Sequence, residues 1–107
     1  MSTSDMSVSV VVPCYNAEKF LDQCLSSIEA DPMKELEIIV LNDGSTDGSL
    51  AIMEAHAAGD ARVRVIEKAN QGYGATVNRG FDEARGEYVA VVEPDDYLKP
   101  GMFSALY

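Results

Sequence analysis

Three carboxylates crowd into Glu93-Pro94-Asp95-Asp96, directly after the apolar run at residues 88–92 (YVAVV). Like charges at that spacing repel, and the end of a strand needs none of them in order to fold. Oxygen ligands so placed suit a hard divalent cation. Mg²⁺ or Mn²⁺ is commonly held by one or two carboxylates that bridge it to substrate phosphates. The plainer alternative is a solvated loop in which Asp96 caps the following turn. Two other polar stretches invite the same comparison. In Asn42-Asp43-Gly44-Ser45-Thr46-Asp47, Asp43 can accept a hydrogen bond from the N–H of a base; a turn with a helix cap explains the same residues. Asn70-Gln71-Gly72-Tyr73-Gly74 opens a helix as a phosphate-cradling loop would. It matches neither G-x-G-x-x-G nor the P-loop, so an ordinary loop fits as well.

Short β-branched runs and longer helical stretches alternate around these loops. Residues 8–12 (VSVVV), 37–41 (EIIVL), 63–67 (VRVIE) and 88–92 read as strands. Residues 17–30 read as a helix with Phe20, Leu21, Cys24, Leu25 and Ile28 on one face and Asn16 as its cap. Residues 47–58 form a second helix with Leu50, Met53 and Ala57 inward, closed by Gly59. Residues 72–84 form a third, with Val77, Phe81 and Ala84 as its apolar positions, closed by Gly86. Pro100 then opens another. The strands are nearly all apolar, the pattern of strands covered on both faces. This predicts an α/β fold: a Rossmann-like three-layer α/β/α arrangement around a mainly parallel sheet. In such sheets ligands sit beyond the carboxyl ends of the strands. Those ends are Pro13-Cys14-Tyr15-Asn16, the Asp43 loop, the Gly72 loop and the Glu93 loop, so the topology gathers four distant polar segments on one rim.

Composition narrows the partners. The 107 residues suit a single domain, with residues 1–6 expected to be disordered. A hydrophobic fraction of 47% provides for a core. Eight basic against 18 acidic side chains give a formal charge of −10, which argues against a nucleic-acid partner. It leaves room for a phosphate held through a metal. Cys14 and Cys24 show no metal-ligand spacing and are too few for a disulfide framework, which favours a reducing compartment. Cys14 has no histidine near it in sequence to activate it, and His56 reads as a surface residue away from the rim. The start, MSTSDMS, lacks a basic and then apolar leader, and no apolar run is long enough to span a membrane.

Taken together, VSVVVPCYNAEKFLDQCLSSI, EIIVLNDGSTDGS and NQGYGATVNRGFDEARGEYVAVVEPDDYL resemble the inverting family 2 glycosyltransferases of the GT-A fold. The likeness runs from about Val8 to Met102, with three motifs in order. It implies a nucleotide-diphosphate sugar, with UDP favoured, bound on the rim. Pro13, Tyr15 and Asn16 match the segment that cups base and ribose. Asp43 matches the acid that bonds the base. Residues 70–79, including Gly72 and Asn78, match the loop and helix flanking base and diphosphate. Glu93-Pro94-Asp95 falls where the family carries Asp-x-Asp. Asp95 matches the usual ligand for Mn²⁺ or Mg²⁺, with Glu93 and Asp96 as further metal candidates. Glu93 stands where Asp is typical and reaches one methylene further.

The resemblance also implies a longer catalytic domain, with an acceptor pocket and a carboxylate general base that nothing in these residues matches. The expectation is therefore a truncated, donor-binding half, inactive alone. The parent enzyme would transfer a sugar with inversion to an unidentified acceptor hydroxyl in polysaccharide, glycolipid or glycoprotein synthesis, in the cytoplasm or at the inner face of the membrane. The rival is a non-catalytic α/β assembly or regulatory module, self-associating through a truncated sheet edge. A nucleotidyltransferase is disfavoured, because the first loop lacks a glycine-rich, basic triphosphate-binding pattern.

Overall fold

The computed structural model describes residues 8–32 and 34–94. Four strands alternate with three helices in the order β1 (Val8–Cys14), α1 (Glu18–Glu29), β2 (Leu36–Asp43), α2 (Ser49–Gly59), β3 (Val63–Lys68), α3 (Tyr73–Glu83) and β4 (Tyr88–Val91). The sheet runs β3-β2-β1-β4, and every pairing is parallel. The expected helix at Pro100 and the expected disorder of residues 1–6 lie outside the described residues.

The pleat divides β1 between two cores. Val8, Val10, Val12 and Cys14 join Ile38 and Val40 beneath Leu21, Cys24, Leu25 and Ile28 of α1 and Met53 of α2. Val11, Ile39, Leu41 and Ile66 form a second cluster on the opposite face, with Ala84 against it. Helix α3 packs on β1 and β2 there. The result is the three-layer arrangement that the apolar strands predict. Each fully buried Leu or Ile contributes roughly 1.5–3 kcal/mol. Leu21, Leu25 and Ile28 therefore seat α1 more firmly than its intrinsic propensity would.

Two aromatic positions depart from expectation. Phe20 and Phe81 are exposed rather than core. The buried stripe of α1 is Leu21, Cys24, Leu25 and Ile28, and Phe20 lies off its edge, towards the rim. In α3 the buried residues are Thr76 and Gly80. A Cβ at Gly80 would stand 2.3 Å from Val11 Cγ1. The helix thus lies so close to the sheet that only small side chains fit beneath it, and Phe81 is displaced sideways. Leu50 and Ala57 are half-buried, leaving Met53 as the main anchor of α2. Strand β4 also differs: its apolar run predicts cover on both faces, yet among the described residues it is an edge with Tyr88, Val89 and Val91 exposed.

Polar pairing closes the amino end of the sheet. Buried Ser9 donates to Glu37 Oε1 at 3.1 Å and accepts the Gly86 amide at 2.8 Å. Arg64 bonds Glu83 at 2.8 Å and approaches Glu37 at 3.6 Å. This network ties the α3–β4 turn to the sheet, far from the rim.

Candidate functional site: a recess at the carboxyl ends of the strands

Strands β1 and β2 lead to helices on one face, and β3 leads to α3 on the other, so the connecting loops part above the sheet. That divergence opens the crevice expected of such folds. A recess of about 340 Å³ is lined by Pro13, Cys14, Tyr15, Asp43, Asn70, Gly72, Tyr73 and Thr76. A second lobe of about 290 Å³ is bordered by Pro13, Tyr15, Asn16, Ala17, Phe20, Tyr73, Glu93 and Pro94. The lobes share Pro13 and the two exposed rings of Tyr15 and Tyr73.

Asp43 forms the floor of the first lobe and is almost fully buried. Its Oδ1 accepts from Lys68 Nζ at 2.8 Å and from the Gln71 amide at 2.9 Å; its Oδ2 accepts from the Gly72 amide at 3.1 Å. Burial alone would push the carboxyl up. The Lys68 ammonium, the Gln71 amide and Thr76 outweigh it and hold Asp43 below the usual carboxylate range. An ionised carboxylate offers about four acceptor positions. These three bonds take both positions on Oδ1 and one on Oδ2, which leaves one acceptor position on Oδ2.

The loops around this floor fix one another. Asn16, at φ 48, holds the second loop through Oδ1, which accepts from the Thr46 amide at 2.8 Å. It does not cap α1, whose N-cap is Ala17 with no side-chain cap bond. Instead the two helix starts cap each other across the rim. The Asn16, Ala17 and Glu18 amides donate to Ser45, Ser49 and Asp47, and the Gly48 amide donates back to Glu18. Gly44 sits at φ 71, where a Cβ would come 2.9 Å from the Asn70 backbone nitrogen. Gly72 adopts φ 95, ψ 170 as the N-cap of α3, a conformation nearly confined to glycine. This turn presents its amide to Asp43.

The sequence-derived candidates therefore separate. Pro13, Tyr15, Asp43 and Gly72 line the first lobe, and Asn16 and Glu93 border the second. Asn78 is exposed on α3, outside the lining of both. Asp95 and Asp96 lie outside the described residues. Glu93 is exposed at the border of the second lobe. No group of three metal-binding side chains occurs among the described residues. Cys14 is a free, buried thiol pushed up by burial, which fits packing rather than nucleophilic chemistry. His56 is a correction. It is not a surface residue: its side chain is only 10% exposed, with Nδ1 2.5 Å from Glu29 Oε2 and Nε2 2.7 Å from Asp22 Oδ1.

Lys68 is the rim residue that sequence reasoning missed; Tyr73 and Thr76 fall within the expected stretch at residues 70–79 without being singled out there. Lys68 falls one residue past the expected end of β3, yet strand register places it directly beside Asp43. Aligning the strand ends would have found the pair.

A recess at the carboxyl ends of a parallel sheet is where open α/β folds hold their ligands. The family model for glycosyl transferase family 2 matches residues 9–107, and the chain belongs to that family. It is 43% identical over 99 residues to the uncharacterized glycosyltransferase EpsJ of Bacillus subtilis, covering 92% of this chain and 29% of that protein. Staphylococcus aureus TarS 1–349 in complex with UDP-GlcNAc superposes with a TM-score of 0.87 at 32% identity, over 94% of this chain and 30% of that one. The mannosyltransferase PcManGT from Pyrobaculum calidifontis, in complex with GDP-Man and Mn²⁺, gives 0.83 at 25% identity, over 92% and 30%. The parallel α/β sheet is thus that of GT-A glycosyltransferases. The chain spans less than a third of the length of these relatives.

Proposed function

We propose that these residues bind the nucleotide-diphosphate sugar of a glycosyltransferase, with UDP as the favoured nucleotide and a divalent cation beside the diphosphate. The observation that carries this reading is the acceptor position left on Asp43 in a recess that the exposed Tyr15 and Tyr73 also line. A base stacks on Tyr15 or Tyr73 and donates a ring N–H to Asp43 Oδ2. The ribose and diphosphate then extend into the second lobe, towards Glu93. Glu93, Asp95 and Asp96 would hold the Mn²⁺ or Mg²⁺, which when bound neutralises the departing diphosphate. Support comes from TarS and PcManGT, solved with a UDP-sugar and with a GDP-sugar plus Mn²⁺. Both bases present a ring N–H.

In the whole protein, an acceptor hydroxyl attacks the anomeric carbon in line, with inversion, and a carboxylate general base takes its proton. Such transfer builds a polysaccharide, glycolipid or glycoprotein, in the cytoplasm or at the inner membrane face. No described helix is long and apolar enough to cross a membrane. The rival assembly module draws on exposed Tyr88, Val89 and Val91 at the β4 edge. Calorimetric titration with UDP and GDP, with and without Mn²⁺, separates the two. Binding that needs Mn²⁺ and is lost in Asp95→Ala supports the donor site. Metal-independent binding would remove the cation from the proposal, and no binding would favour the assembly module.

A further inference from the structure

We infer that Lys68 is a positioning residue: it fixes Asp43 as an acceptor-only carboxylate, so that the recess takes bases presenting a ring N–H and rejects those presenting a bare ring nitrogen. This rests on reading the recess as a nucleotide-base site and deepens that reading.

The geometry leaves Lys68 no direct task with a ligand. Its side chain and that of Asp43 are each only 6% exposed. An ammonium has three donors. Those of Lys68 go to Asp43 Oδ1 at 2.8 Å, the Ala69 carbonyl at 3.0 Å and Thr76 Oγ1 at 3.2 Å. Thr76 in turn donates to the Gly72 carbonyl at 2.8 Å, which leaves its oxygen lone pair facing Lys68. A chain of contacts thus runs from α3 through Thr76 and Lys68 to Asp43. The ammonium occupies Oδ1, so a ligand can reach only Oδ2.

Protonation state decides what Oδ2 can do. An ionised carboxylate only accepts; a protonated one also donates. Uracil offers N3–H and guanine N1–H at the pairing edge. Cytosine and adenine offer a bare ring nitrogen there, which pairs only with a donor. A buried carboxyl without a cationic neighbour drifts towards the protonated form. Lys68, from β3, is the cationic side chain bonded to Asp43; the same recess is lined by Cys14 and Tyr15 after β1 and by Tyr73 and the neutral Thr76 of α3, and the loop after β3 contributes two amides. Lys68 is thus the group that prevents the drift.

The test is calorimetry with UDP and CDP, which share their phosphates, from pH 5.5 to 8, on the wild-type protein and on Lys68→Met. The wild type should prefer UDP strongly, with a UDP:CDP ratio that does not change across the range. Lys68→Met should lower that ratio by about 10-fold or more, the scale of one hydrogen bond to a charged group. Its remaining preference should weaken further towards pH 5.5. Far-UV circular dichroism and thermal melting confirm folding. If Lys68→Met does not fold, the wild-type profile still decides: a UDP:CDP ratio that collapses on acidification within this range overturns the inference. A folded Lys68→Met with an unchanged ratio overturns it as well, while leaving the base site standing. A wild type that binds no nucleotide at all, with or without Mn²⁺, removes the base site and this inference together.

Discussion

Asp43 and His56 each sit in a largely enclosed ionic cluster beside a recess, and the recess at His56 is the larger, about 380 Å³ against about 340 Å³. Size points away from the proposed donor site. Both ring nitrogens of His56 are engaged, by Asp22 and Glu29 of α1, and its recess is otherwise lined by Ala51, Ile52, Ala55 and Gly59. Nothing polar there is left for a ligand beyond the outer oxygens of two carboxylates already paired. Close by, Arg62 bonds the Glu29 and Asp31 carbonyls at the end of α1. The whole region pins one helix to its neighbours. At Asp43 the same kinds of bond leave one acceptor position in a recess shared with Tyr15 and Tyr73. The difference teaches that an incompletely satisfied polar atom marks a binding site better than the volume around it.

The clusters also respond to pH with opposite sign. Asp43 is held below its ordinary range, so its stabilisation is present above the unfolded value near pH ~3.9 and is lost as pH falls through the folded value. His56 is different. Burial alone would push the ring down, but Asp22 and Glu29 outweigh it and raise the group. That contribution is complete below the unfolded value near pH ~6.5 and is lost as pH rises through the folded one. Glu29 is itself pushed up by burial, against the pull of His56, so its contribution has the same sign but sets in from the unfolded carboxylate value of ~4.3.

The largest effect that would break this comparison is expected from Asp43→Ala. It strands the Lys68 ammonium and two backbone amides in a buried site, at a cost of roughly 3–5 kcal/mol. Against a total stability of about 5–15 kcal/mol for a domain, that is a large share. Urea denaturation should show it, and nucleotide binding should vanish. A loss under about 1 kcal/mol would mean that Lys68 reaches water without its partner, and the cluster would then be no more committed than a surface pair.

Gly72→Ala should cost less, about 1–3 kcal/mol, through backbone strain alone. Space is not the obstacle, since a Cβ there meets nothing within 4 Å. The strained turn carries the amide that bonds Asp43 Oδ2, so nucleotide affinity should fall in step with the lost stability. Alanine tolerated with both unchanged would show that the turn can relax without disturbing Asp43. Tyr73→Ala should sharpen the contrast from the other side. The ring is exposed, so stability should stay within about 0.5 kcal/mol of wild type, while affinity drops by the roughly 1–3 kcal/mol of a base–aromatic stack.

How far these features could be read in advance depends on how local their causes are. The strand–helix alternation follows from β-branched runs and from the spacing of Leu21, Cys24, Leu25 and Ile28, all properties of short windows. The rim was legible too, because a parallel sheet must bring its carboxyl-end loops together. The contents of the site were less so. Asp43 meets Lys68 across 25 positions of sequence, through a strand register that the sequence does not state. Phe81 looked like core because helical spacing says so, and only the close approach of Gly80 to Val11 displaces it. Asn16 has the composition of a cap, yet it turns through a positive φ to hold Thr46 instead. His56 reads as a surface residue in the sequence because its partners lie on another helix.

That last residue gives the smallest expected effect and the cleanest check of sign. His56→Gln keeps a hydrogen-bonding side chain of similar reach but cannot take a proton. Asp22 is mostly exposed, which screens its share of the interaction, so the loss should be about 1 kcal/mol or less. It should be greatest near pH 6 and shrink as pH rises through the raised value of His56, because the wild type then loses the same charge. Denaturation curves for wild type and variant at pH 6 and pH 9 should therefore converge at the higher pH. Nucleotide affinity should not change at either. Curves that stay apart at pH 9 would mean that the ring acts by packing rather than by charge. A change in nucleotide affinity would mean that α1, which carries Phe20 at the rim and Glu29 at its far end, couples the two clusters.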